Sequence, residues 1–341
     1  METRKIQATG GGGTYIVSLP KNWIEKQKIK RKDLLNVFER EDGALIIIPN
    51  TQKSKITRTK TISIKEKNSQ FTTRKIISAY INGADTIELT GTANWKQRKT
   101  LKESAKKMLI GVEITEDKNK MSIQCIIDVS KLSIKKILEK SYNTTNWMYA
   151  HAFTAFEEKN TELAEDIIER DSEVDQLVVL AIRQLNSAAM DPAFAELIDI
   201  SGLDTLYYRA VIDYVEIMAD CCVNIASATL KMQNTTIPKD MKEKIIAISK
   251  KVNKAYSDVV YAFKNKEIVL ANNAIEDAEA TEKEIFSAEG KSMILADKRL
   301  RDNPEIIGVV AIILENLGYI LHLSRSVAEL VIDRGINDKE N

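Results

Sequence analysis

The sequence predicts an α+β protein of several domains: a small β unit, a small α/β sandwich and a long all-helical body. With 341 residues, the chain is long enough for two or three domains. Aromatic residues make up 6% of it and prolines number 5, which favours long helices over an all-β fold. Strand-like runs are confined to the first 130 residues, and apolar residues recur at three- and four-residue spacing thereafter.

The first domain is predicted over residues 1–52. Its elements are a strand, a short helix and a β-hairpin, at Tyr15–Leu19, Lys21–Gln27, Leu35–Glu39 and Leu45–Ile48. Pro20 precedes the helix, a position that proline favours, and Glu41, Asp42 and Gly43 form a hairpin turn. The glycine run Gly10–Gly13 matches no nucleotide-binding loop, so we expect no nucleotide cofactor. A unit this small buries too little surface to fold alone, and we expect a second copy to complete it.

The second domain, residues 56–130, is predicted to be a β-α-β-α-β-β sandwich. The elements in order are Thr61–Lys65, Thr72–Ile81, Thr86–Leu89, Trp95–Leu109, Val112–Thr115 and Met121–Ile127. Asn82 and Gly83 end the first helix, and Gly111 ends the second. This region carries no recognisable catalytic motif. Its basic second helix either extends a DNA-binding face or is simply solvated.

The third domain, residues 131–337, is predicted to be all helical. Its helical pattern breaks near Lys159-Asn160, Asp191-Pro192, Gln233–Pro238, Asn265-Lys266 and Asn303-Pro304. These breaks leave six segments, which form two three-helix bundles at about 131–235 and 238–337. Gly202 is expected to kink the third helix.

The charge is divided unevenly along the chain. Residues 1–60 carry 13 basic and 6 acidic side chains, and residues 61–135 carry 14 and 8, whereas residues 136–341 carry 23 and 35. A basic N-terminal part suggests a polyanionic partner, and an acidic body suggests a cation or a cationic partner. Alternatively, the two parts are ordinary soluble surfaces of opposite sign.

Several classes of protein are disfavoured. The longest apolar run, Ile306–Leu314, is far shorter than the roughly 18 residues of a membrane span, and the N-terminus has no apolar signal core. Three cysteines without a CxxC pair predict no disulfide framework and fit a reducing cytoplasm. The chain has two histidines, which is too few for most His-based metal sites and argues against a catalytic triad.

Basic residues spaced along the first domain suit contacts with the phosphate backbone of a nucleic acid, although a basic run by itself is more often a solvated face. The expected contacts are Arg4, Lys5, Thr14, Lys21, Lys26, Arg31 and Lys32. Lys5–Gln7, Thr14–Trp23 and Ile29–Asp33, with the following hairpin, resemble the SpoVT/AbrB-type swapped-hairpin domain. Lys32 stands where that family usually has glycine. The resemblance implies a homodimer of interleaved hairpins, formed through this domain, that binds double-stranded DNA through basic residues.

Two acidic pairs mark the helical domain. Asp171 and Asp175 lie one helical turn apart, as do Glu216 and Asp220 on the next long helix. If the pairs face each other, they form an all-oxygen site suited to hard or borderline cations. Otherwise they belong to an ordinary acidic helix surface.

The segment Glu216–Ala226 resembles the PhoU family, with glutamate, aspartate, asparagine, isoleucine and alanine in register. This resemblance implies a PhoU-like pair of three-helix bundles, acidic motifs that bind a divalent or trivalent metal ion, and a role in regulating phosphate uptake. The second repeat keeps Glu282 and Glu315, but Ala278 and Tyr319 replace expected acids, so its metal site is incomplete.

The order of the three domains resembles an archaeal-type phosphate uptake regulator. This implies a cytoplasmic, non-enzymatic, DNA-binding transcriptional regulator. Its helical body would sense phosphate status through bound metal, or through a phosphate transporter or signalling partner at the cytoplasmic membrane face. The alternative is an adaptor that negatively regulates a transporter without binding DNA. A metalloenzyme at the acidic pairs, such as a phosphohydrolase, is less favoured because no nucleophile or base motif accompanies them.

Overall fold

The computed structural model divides into two compact units, residues 1–57 and 58–341. The structure describes residues 3–9, 13–39, 43–49, 58–64, 68–117, 120–232, 236–286 and 303–337. Several predicted features lie outside the described residues: Gly10–Gly12, Glu41, Asp42, Lys65 and residues 233–235 of the loop before Pro238.

The first unit contains two antiparallel β-pairs and one short helix. The predicted strand, helix and hairpin are present, whereas the first strand is missing from the sequence prediction. Its elements are β1 (Gln7–Thr9), β2 (Thr14–Ile16), α1 (Lys21–Gln27), β3 (Leu35–Glu39) and β4 (Leu45–Pro49). None of the described residues between 3 and 49 is buried. Ile6, Tyr15 and Leu45 are each more than 60% exposed, so a single chain gives this unit no hydrophobic core.

The turn after α1 accommodates the lysine that replaces the usual glycine. Lys32 has φ +74°, in the left-handed region where glycine is favoured. The Asp33 amide donates to the Lys30 carbonyl oxygen over 3.1 Å, and the Lys30 amide donates to Asp33 Oδ2 over 2.7 Å. These two hydrogen bonds stabilise the turn despite the strained lysine.

The second unit begins with the predicted α/β sandwich. Its elements are β5 (Thr59–Ser63), α2 (Ser69–Ile81), β6 (Thr86–Thr90), α3 (Trp95–Met108), β7 (Val112–Asp117) and β8 (Lys120–Cys125). The sheet has the order β5-β6-β8-β7; β5 runs parallel to β6, and the other pairs are antiparallel. Asn68 caps α2, and Asn94 with Gln97 forms a capping box on α3. One face of the sheet packs on both helices around Tyr80 and Leu101.

The helical body follows. Its helices are α4 (Ile134–Glu158), α5 (Thr161–Met190), α6 (Pro192–Leu197), α7 (Gly202–Leu230), α8 (Lys239–Asn265), α9 (Ile268–Phe286) and α10 (Pro304–Asn337). Helices α4, α5 and α7 pack as one three-helix bundle, and α8, α9 and α10 as another; α7 and α10 join the bundles. The prediction of two three-helix bundles is confirmed.

The expected kink at Gly202 is wrong. The third predicted segment is two helices, and Gly202 is the first residue of α7. Ser201 caps this helix, because its hydroxyl accepts a hydrogen bond from the Asp204 amide over 3.0 Å. Asp199, with φ +55°, reverses the chain before the cap.

Helix α10 is long and apolar enough to cross a membrane by length and composition, although its longest uninterrupted apolar run is short. Val310, Ile313, Leu317 and Ile320 are fully buried against the other helices of the body. Helix α10 is therefore packed as a core helix of the helical body.

The α/β sandwich is fastened to α5. Arg183 is 4% exposed; its Nη1 donates to the carbonyl oxygens of Tyr80 and Ala84, and its Nη2 lies 3.7 Å from Asp85 Oδ1. Val179, one turn before Arg183, enters the hydrophobic core of the sandwich. The predicted second and third domains therefore lie within one compact unit.

Candidate functional site

The structure places the expected DNA contacts at three positions on the N-terminal domain. Arg4 and Lys5 precede β1, and Thr14 begins the paired strand β2. Lys21 and Lys26 lie on α1, and Arg31 and Lys32 in the turn that follows. All seven side chains are exposed. Lys21 also lies 3.7 Å from Glu25, a fully solvated pair that contributes little.

The four predicted carboxylates of the first bundle come from two helices that pack directly together. Asp171 and Asp175 project from α5, and Glu216 and Asp220 from α7. We call these four residues the acidic cluster. Asp220 is the most exposed of them, and the others are partly buried. None of the four pairs with, or accepts a hydrogen bond from, another described residue.

Crowding of negative charge perturbs the acidic cluster. Burial, followed by repulsion from Asp175, raises the pKa of Asp171 to about 6. Burial, again followed by repulsion from Asp175, raises the pKa of Glu216 to about 7. The pKa of Asp175 is raised by burial and by Asp220, and that of Asp220 by burial. The two helices thus bring the carboxylates close enough to oppose one another's ionisation.

One cation that the sequence reasoning missed acts on the acidic cluster. The charge of Lys107, at the end of α3, lowers the pKa of Asp171 and Asp175 against the dominant effect of burial. The Lys107 carbonyl oxygen also accepts a hydrogen bond from Gln176 Nε2 over 2.7 Å. No local sequence signal relates α3 to α5, because their contact depends on the tertiary fold.

The donor chemistry of the acidic cluster suits a hard cation, whereas its geometry is not assembled around one. Four carboxylates with raised pKa values and no paired cation gain from a nearby positive charge. Yet among the described residues, no group of three or more His, Cys, Asp or Glu lies close enough to hold an ion. Joint coordination by three of the carboxylates therefore requires movement of their side chains.

The residues of the incomplete second repeat border one groove. Glu282 and Glu315 line a space of about 660 Å³ together with Lys231 and His322. Arg325 Nη1 donates to Glu282 Oε2 over 3.2 Å, so this carboxylate already has a counter-ion. The second repeat thus differs from the acidic cluster, whose carboxylates have none.

The cysteines of α7 are buried, as expected for small apolar residues. Cys221 and Cys222 are 1% and 0% exposed. Burial raises the pKa of the Cys221 thiol to about 12 and that of Cys222 well above its ordinary value. Neither is a thiolate at neutral pH.

Two family models match parts of the chain. Residues 138–229 match the family model described as the PhoU domain. Residues 11–55 match the model described as antidote-toxin recognition MazE, bacterial antitoxin. The chain therefore joins an N-terminal MazE/AbrB-type domain to a PhoU domain. The PhoU match runs from α4 to α7 and contains the whole acidic cluster.

One solved structure shares the fold of the helical body. The phosphate transport system regulatory protein PhoU from Streptococcus pneumoniae is 16% identical, with a TM-score of 0.50, over 58% of this chain and 91% of that one. The helical body has the PhoU fold. PhoU from Pseudomonas aeruginosa is 17% identical, with a TM-score of 0.49, over 58% and 93% of the two chains. No curated protein sequence matches the chain.

Proposed function

We propose that this protein is a non-enzymatic regulator of phosphate uptake that binds DNA as a homodimer. The observation that carries the proposal is the union, in one chain, of a PhoU domain with a MazE/AbrB-type domain. A PhoU structure with this fold is described as a regulatory protein of phosphate transport. We place the protein in the cytoplasm, with a phosphate transporter or signalling protein at the membrane as its partner.

The N-terminal domain supplies the argument for dimerisation and DNA binding. A unit in which none of the described residues is buried is not expected to be stable by itself, and a second copy would cover exposed side chains such as Ile6 and Leu45. Seven exposed residues, six of them cationic, remain to meet the phosphate backbone. In this proposal the N-terminal domains of two chains interleave into one β-domain, and each chain contributes one copy of this basic surface.

The acidic cluster supplies the sensing part of the proposal. We propose that Asp171, Asp175, Glu216 and Asp220 hold a divalent or trivalent cation, whose charge would offset their mutual repulsion. Isothermal titration with Mn²⁺, Mg²⁺ or Fe³⁺ tests this. Asp175→Asn should abolish binding, whereas Glu173→Gln, at an exposed site on the same helix, should retain it. Equal binding by both variants would contradict the assignment.

DNA binding is tested with the full-length protein across a salt series. We would measure affinity for random duplex DNA and for the region upstream of its own gene. Lys21→Ala and Arg31→Ala should each lower affinity on every sequence and reduce the slope of log affinity against log salt by about 1. Lys244→Ala, at an exposed site on α8 of the helical body, is the matched control.

The result decides between the two regulatory functions. A steep salt slope, sensitive to Lys21 and Arg31 and accompanied by preference for the upstream region, supports transcriptional regulation. If no binding occurs even at low salt, the N-terminal domain serves dimerisation only. The adaptor that acts on a transporter then becomes the better proposal.

A further inference from the structure

A basic groove lies beside the open edge of the α/β sheet, away from the acidic cluster. It has a volume of about 930 Å³ and is formed by β5 on one side and α2 on the other. Four cationic residues line it: Arg58 and Lys60 from the strand, and Arg74 and Lys75 from the helix. Among the described residues that line it, none is acidic.

The cations of this groove have no acidic partner in the part of the chain that the structure describes. Arg58, Lys60 and Arg74 form no ion pair with any described residue, and Lys75 lies over the exposed Phe71 ring at 3.9 Å. Asp85 accepts a hydrogen bond from the Arg58 backbone amide, but its side chain lies beside Arg183 rather than beside a groove cation. An anionic partner would therefore meet positive charge that the protein leaves unbalanced.

The strand beside these cations has an unused edge. The Thr86 amide donates to the Arg58 carbonyl oxygen, and the Ile64 amide donates to the Thr90 carbonyl oxygen. Because backbone groups alternate sides along a strand, those of Thr59, Thr61 and Ser63 point away from β6. Within the described chain, no strand pairs with that side of β5. The groove thus combines a row of hydrogen-bonding backbone groups with a row of cations.

We propose that the basic groove binds an extended polypeptide segment with acidic side chains at alternate positions, which joins the sheet as a strand beside β5. Backbone hydrogen bonds to Thr59, Thr61 and Ser63 would hold the segment, as in other cases of strand addition. Its alternate side chains would face α2 and meet Lys60, Arg74 and Lys75.

Two other occupants fit the groove less well. A second copy of β5 would bring two sets of four cations together, and like charges across an interface cost binding energy. Nucleic acid would satisfy the cations, but it has no row of amides and carbonyls with the spacing of a strand. The open edge therefore favours a peptide.

The test uses the full-length protein and a fluorescein-labelled peptide of alternating glutamate and threonine, followed by fluorescence anisotropy. Lys60→Glu with Arg74→Glu should weaken binding by about tenfold or more, since two attractions become repulsions. Lys21→Glu with Arg31→Glu, the matched pair on the N-terminal domain, should change affinity less than about twofold. Loss of binding in this control pair alone would overturn the proposal.

Backbone pairing of the peptide with β5 is tested separately from the attraction between charged side chains. Thr61→Pro removes an outward amide at an edge position where proline is tolerated, and should weaken binding several-fold. The same peptide with alternate amides N-methylated tests the mode on the unaltered protein, so misfolding of the proline variant cannot obscure the result. Full binding of the N-methylated peptide, or an equal loss of duplex DNA binding in the groove variant, would show a general polyanion site and overturn the proposal.

Discussion

Replacing Glu216 with glutamine should make the protein more stable at pH 8 but not at pH 5. The pKa of Glu216 is raised from 4.5 to about 7 by burial and by the carboxylates of Asp175, Asp213 and Asp220, in the absence of bound metal. Glutamine keeps the size and polarity of the side chain and removes the charge. The variant therefore measures how much the folded protein loses when this carboxylate ionises.

The sign follows from proton binding. Between pH 4.5 and 7 the folded state holds the Glu216 proton more tightly than the unfolded state. The free energy of unfolding of the wild type therefore falls as the pH rises through this window, and the contribution of the proton is lost above it. A shift of this size corresponds to roughly 3 kcal/mol, and partial exposure of the side chain reduces it to about 1–2 kcal/mol.

Urea denaturation in the presence of a chelator, at pH 5 and pH 8, is the appropriate assay. We expect Glu216→Gln to gain about 1–2 kcal/mol over the wild type at pH 8 and to match it at pH 5. Glu173→Gln, an exposed change on α5, should stay within about 0.5 kcal/mol at both values. Equal effects of Glu216→Gln at the two pH values would refute the electrostatic reasoning.

Three further changes test the fold by urea denaturation at pH 8. Arg183→Met leaves two carbonyl oxygens of the α/β sandwich without their buried donor and should lower the free energy of unfolding by about 3 kcal/mol. A loss below about 1 kcal/mol would show that Arg183 contributes little to the contact between the sandwich and α5. Gly111→Ala should cost about 2 kcal/mol or more, because Gly111 has φ +68° and a new Cβ would lie 2.5 Å from Ile127 Cβ; an unchanged midpoint would contradict this. Asn160→Ala removes the N-cap of α5 and should cost about 1 kcal/mol; wild-type stability would show that the cap is unimportant.

Local signals in the sequence predicted the helix boundaries well. Asn160, Pro192 and Pro304 mark helix starts that the structure places within one residue, because capping and proline chemistry act over a single turn. The error at Gly202 has the same local origin. Glycine is found both at kinks and near helix ends, and the hydrogen bond from the Asp204 amide to Ser201 places Gly202 at a helix start.

The candidate site was predictable only in part. One-turn spacing predicts that Asp171 and Asp175 share one face of a helix, as do Glu216 and Asp220, and α5 packs directly on α7 in the structure. The spacing of residues along one helix does not determine distances across two helices. Helical spacing therefore does not predict that the described carboxylates lie too far apart to hold a metal ion together. Nor does it predict the effect of Lys107, because this residue lies on α3, far from α5 and α7 in the sequence.

Helix α5 is a single rod of 30 residues, about 45 Å long at 1.5 Å per residue. It carries Asp171 and Asp175 along its length, and Arg183 fastens it to the α/β sandwich. An intact helix resists bending far more than its packing against neighbours resists sliding. A rigid shift of α5 relative to α7 would therefore displace the α/β sandwich as well, because Arg183 holds the carbonyl oxygens of Tyr80 and Ala84.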